Sequence, residues 1–94
     1  MTYETATALP PEEVLRRAKD FFATRVPARG AFLERESARH VVLRGQGGEE
    51  VVIAVAARPD GTGVRGSTLL FDQPLRRFLA ALPEPAAAAA GGAA

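Results

Sequence analysis

The segment Val51-Val52-Ile53-Ala54-Val55-Ala56-Ala57 is the one stretch in which apolar residues run unbroken and branched side chains dominate. Four of its seven residues are β-branched, which favours a strand over a helix, and turn-forming residues bound it on both sides. Alternation puts Val51, Ile53, Val55 and Ala57 on one side and Val52, Ala54 and Ala56 on the other. A strand with one wetted side would carry polar residues there. This one asks for cover on both, and it is expected at the centre of a sheet.

Ninety-four residues, 47% of them apolar, suffice for one core. The expected organisation is a single α+β domain over residues 1–85 followed by an Ala/Gly tail, 86–94, with no side chain large enough to anchor it. Twelve basic residues face eleven acidic ones, and like charges never run beyond two in a row. That pattern argues against nucleic acid as the partner, because polyanion binding rests on clustered cations. The basic residues are Arg except Lys19, and Ala, Gly and Pro abound, as in a high-GC bacterial coding bias. With no cysteine, disulfides and thiolate metal sites are excluded. The first residues lack the pattern of a signal peptide and no run approaches the ~18 apolar residues of a membrane span, so a cytoplasmic setting without membrane insertion is expected.

Tyr3, Thr5, Thr7 and Leu9 alternate with Glu4, Ala6 and Ala8, predicting a first strand that ends at Pro10-Pro11. Proline suits the first turn of a helix, and Glu12 and Glu13 then sit where the helix dipole favours negative charge. Val14, Leu15, Ala18, Phe21 and Phe22 line one stripe of that helix, which Pro27 and Gly30 close. Residues 31–37 and 39–44 read as one bent strand or as a hairpin about Ser37-Ala38, the hairpin giving the more compact sheet. Gly45-Gln46-Gly47-Gly48 is a tight hairpin turn leading into the central strand. Pro59-Asp60-Gly61 is a second turn, and Val64 to Phe71 a last strand in which Gly63 and Gly66 imply a bulge or a close approach. Asp72 is expected to cap a final helix with Pro74 in its first turn and Leu75, Phe78, Leu79 and Leu82 on its apolar stripe, stopped by Pro83-Glu84-Pro85.

The order is strand, helix, three to four antiparallel strands, helix. Two helices with one apolar stripe each are expected on one face of a curved sheet, leaving the other open. Residues of about 2 to 82, with Leu9-Pro10-Pro11-Glu12-Glu13-Val14 opening the first helix and Phe78-Leu79 in the last, resemble a reduced form of the helix-grip and TATA-binding-protein-like class. That resemblance implies a sheet gripping a C-terminal helix. Larger helix-grip proteins of the START and Bet v 1 type enclose a lipid or polyketide; here the shorter helix and fewer strands leave less room for a pocket.

Candidates for chemistry are sparse. His40 is the only histidine, and it shares a strand face with Val42 and Arg44. Ser37 and Ser67 lack a nucleophile elbow. Glu34 and Glu36 fall on one strand face with side chains about 7 Å apart, a carboxylate spacing more common on a solvated edge; Glu49-Glu50 form a second pair. The glycine-rich stretch at 45–48 lacks the Lys-Ser/Thr ending of a phosphate loop and is followed by two glutamates. No catalytic, cofactor or metal role is expected of any residue.

What remains is the open face. Val52, Ala54 and Ala56 would be flanked by Arg65, Ser67 and Leu69 from one neighbour and by His40, Val42 and Arg44 from another. An apolar centre with arginine at its margin suits a protein surface. The expectation is a non-catalytic interaction module that forms a homodimer or docks as an accessory subunit on a larger bacterial assembly. The alternative is a carrier of a small apolar ligand held between sheet and last helix by Phe71, Phe78 and Leu82.

Overall fold

The structure, a computed structural model, describes residues 1–24, 32–45 and 47–85. Its elements are β1 (Thr2–Thr7), α1 (Pro11–Thr24), β2 (Phe32–Glu36), β3 (His40–Arg44), β4 (Glu50–Arg58), β5 (Gly61–Thr68) and α2 (Asp72–Ala80). The strands form one antiparallel sheet in the order β1-β5-β4-β3-β2, so the apolar run of β4 lies at its centre. This is an α+β fold of the expected order, with four strands between the helices. Among the described residues no helix is long and apolar enough to cross a membrane.

Both helices lie on one side. Val51, Ile53 and Val55 point to them and are buried, as are Val41 and Leu43 of β3 and Val64 of β5. Helix α1 opens with Pro11, which has no N–H to leave unpaired, while the Pro10 carbonyl accepts the first helical bonds from Glu13 and Val14. It buries Val14, Leu15, Ala18 and Phe22. Helix α2 buries Leu75, Phe78 and Leu79. Phe22 stands between the helices, its ring centroid 6.1 Å from Phe78 and 6.4 Å from Phe71, and Phe21 lies 5.6 Å from Phe78. Beneath α2, Gly66 supplies the close approach: a Cβ there would sit 2.6 Å from a Leu75 methyl. Beyond α2, the Pro83 carbonyl accepts from the Ala8 N–H, tying the end of the described chain to the end of β1.

The turns follow side-chain chemistry. Residues 37–40 form a hairpin closed by the Ser37 N–H on the His40 carbonyl, which settles the choice left open for residues 31–44. Gly48, at φ +90°, serves the turn between β3 and β4; Gln46 lies outside the described residues. Pro59-Asp60 turns β4 into β5, and Gly61 follows at φ +144°. A Cβ on Gly61 would run into the Thr7 carbonyl.

Two expectations are corrected. The last strand ends at Thr68, not Phe71, because the Thr68 hydroxyl donates to the Glu50 carbonyl (2.9 Å) and accepts from the Phe71 N–H (3.1 Å), turning the chain out of the sheet. Asp72 is not the cap of α2. Phe71 holds that position, its carbonyl accepting from the Leu75 N–H, and Pro74 has no N–H to offer a carboxylate. Asp72 accepts instead from the Tyr3 hydroxyl at 2.9 Å, which binds the start of α2 to β1. The closure of α1 at Pro27 and Gly30, and the tail from residue 86, lie outside the described residues.

Gly61→Ala should therefore cost about 2 kcal/mol, since it adds a backbone clash to an unfavourable φ. Gly48→Ala, with open space around it, should cost only about 1 kcal/mol. Urea unfolding of the two variants beside the parent protein measures the difference.

Candidate functional site: the open sheet face

Cross-strand pairing assembles the face away from the helices in rows. One reads Thr2, Ser67, Val52, Val42, Arg35; the next reads Glu4, Arg65, Ala54, His40; a third reads Ala6, Gly63, Ala56. Arg44 opposite Glu50 borders the first row. His40, Val42, Arg44, Val52, Ala54, Ala56, Arg65 and Ser67 thus share one face, with Val52 and Ala54 half-buried and Ala56 exposed. Val42, between Arg35 and Val52 in its row, is 3% exposed. Leu69 does not join them, because β5 has already ended and the residue projects from the β5–α2 loop.

Small side chains shape the middle. Ala54, Ala56 and Gly63 floor a depression of about 550 Å³ with Glu4, Arg58 and Arg65 around it. Small residues here also let another surface come close to the backbone.

Arg44 organises the charged margin. Its guanidinium donates to both oxygens of Glu34, to Glu50 (3.0 Å) and to the Gly48 carbonyl (3.0 Å). Those hydrogen bonds hold the Glu34 carboxyl below its ordinary range, and Glu34 in turn raises Arg44. A β-bulge between Leu33 and Arg35 makes this possible. It also overturns the expectation that Glu34 and Glu36 share a face: Glu34 reaches Arg44 on the open face, whereas Glu36, opposite Val41, meets Lys19 of α1 at 3.0 Å on the helix face. They are not a carboxylate pair. Glu49 and Glu50 also part, Glu50 going to Arg44 and Glu49 back towards the Gly47 N–H.

The structure does bring Ser37 and His40 together, Oγ lying 2.5 Å from Nδ1. Ser37 Oγ also accepts from the Arg39 N–H at 3.1 Å, so the pair belongs to the hairpin turn it stabilises. Among the described residues no cluster of three metal-ligating side chains occurs. Between sheet and α2, where a carrier would need space, Phe71 and Phe78 are buried against Phe22.

Sequence reasoning missed Thr2, Glu4, Ala6, Gly63 and Arg35 on this face. The first three belong to β1, whose partner β5 is some sixty residues away along the chain, and no local pattern announces that pairing. Compared with known proteins, the chain matches no family model, no curated protein and no solved structure.

The Glu34 carboxyl should titrate below the usual carboxylate range and return to it in Arg44→Gln, as followed by carboxyl carbon NMR. Because its folded pKa is depressed, its contribution to stability is complete above the unfolded-state pKa and disappears as pH falls through the folded one.

Proposed function

We propose that the chain is a non-catalytic interaction module whose open sheet face binds protein, and that its first occupant is a second copy of itself. The observation that carries this reading is the half-buried centre of Val52 and Ala54 beside Val42, on a face that neither helix covers. Its charges are of both signs, Arg35 and Arg65 with Glu4 and Glu50, which suits apposition to a copy of the same face.

Size bears on strength. Five strands spaced at about 4.8 Å, with about six residues each at about 3.4 Å, give a flat footprint of about 500 Å². That falls short of the ~800 Å² per partner of a standard interface. The dimer is accordingly weak and concentration-dependent, and a larger assembly that also engages the rim is the next occupant to consider. The likeness to helix-grip proteins is part of the same proposal, supported by the element order and by α2 lying against β5 and β1. The ligand-carrier alternative has less behind it, because aromatic rings occupy the space it requires.

Light scattering across a concentration series should show mass rising towards twice 9.9 kDa. Val52→Glu, at a half-buried position outside the cluster under the helices, should abolish the rise, with the amide spectrum verifying the fold. A parent protein that stays monomeric up to about 1 mM would rule out self-association.

A further inference from the structure

All five large apolar side chains that are exposed among the described residues, Met1, Phe32, Leu33, Leu69 and Leu70, sit at one end of the sheet, where β1 and β2 begin and β5 ends. Leu69 is 85% and Leu70 70% exposed. Scattered surface leucines need no explanation; two in succession, held out by a fixed turn, do. The turn is fixed from both sides. Thr68 pairs with Met1 through the backbone and with Glu50 and Phe71 through its hydroxyl, and Phe71 is anchored in the core.

Beside the two leucines a groove of about 770 Å³ runs along the outer side of α2, lined by Leu70, Phe71, Pro74, Arg76, Arg77 and Ala80. Among the described residues neither arginine makes an ion pair. Asp72, one turn before Arg76, is taken by the Tyr3 hydroxyl and the N-terminal ammonium. The groove therefore has an apolar floor and two exposed arginines outside any ion pair among the described residues, with Asp72, the nearest carboxylate in sequence, engaged elsewhere, which asks for a ligand with apolar side chains next to carboxylates.

We propose that this corner docks an acidic amphipathic helix of a partner protein. Helix α2 is about 13 Å long, room for roughly two turns of a partner helix laid along it. A second copy of this corner would bring Arg76 and Arg77 against their own kind. An anionic bilayer is also disfavoured, since such surfaces are read by clusters of about four to eight cations. The corner is distinct from the open sheet face, so its occupancy does not depend on what that face binds.

The test is an amide NMR titration with two synthetic helical peptides that share one leucine stripe, flanked by Glu in one and Lys in the other, with phosphatidylglycerol vesicles alongside. The Glu peptide should shift residues 69–80 at concentrations below about 1 mM, and the Lys peptide should not. The double change Arg76→Glu, Arg77→Glu should weaken Glu-peptide binding by about tenfold or more and favour the Lys peptide, and Leu70→Ser should weaken it with charge unchanged. Both arginines are exposed, and an unaltered amide spectrum elsewhere verifies the fold. Equal binding of both peptides, no shift with either, self-association through residues 69–80, or arginine-dependent capture by the vesicles would each overturn the proposal.

Discussion

Two helices of fourteen and nine residues can shield one side of a five-stranded sheet and no more. The rest of the molecule follows from that shortage of cover. On the shielded side the fit is close: phenyl rings from α1 and α2 interleave, and Gly66 gives up its side chain so that Leu75 can reach the sheet. On the other side the middle turns to alanine and glycine, with Val42 and Val52 beside them and arginines and glutamates at the margin.

Much of this was legible beforehand where the signal is local. The β-branched run at 51–57 marks the central strand, the apolar stripes mark both helices, and Pro59-Asp60-Gly61 marks a turn, because each depends on residues a few positions apart. Eight of the nine residues assigned to the open face lie there, since strict alternation carries a correct register across three strands. Their role as a binding surface is a separate matter from their placement.

The misreadings share a cause. Thr68-Leu69-Leu70-Phe71 looks like continuing strand, but one hydroxyl engaged with two backbone groups ends it. Asp72 looks like a cap, but the tyrosine that claims it comes from β1, far away in sequence. Glu34 and Glu36 obey the rule of alternation only in a regular strand, and an extra residue in β2 breaks it. In each case a tertiary or cross-strand contact, from ten to sixty-nine residues away, outweighed a local preference that was otherwise sound.

That extra residue also matters for how the molecule behaves in a crowd. An outermost strand offers unpaired amides to any passing chain, and a straight, greasy one invites stacking into fibrils. In β2 the irregular backbone spoils the spacing a newcomer would need to match, and Glu34-Arg35-Glu36 makes three of its five residues charged. At the opposite border the Pro83 carbonyl takes the Ala8 amide, just past the end of β1. A domain that leaves one broad side bare thus has an irregular, charged border at β2, so that lateral growth of the sheet from that strand is discouraged.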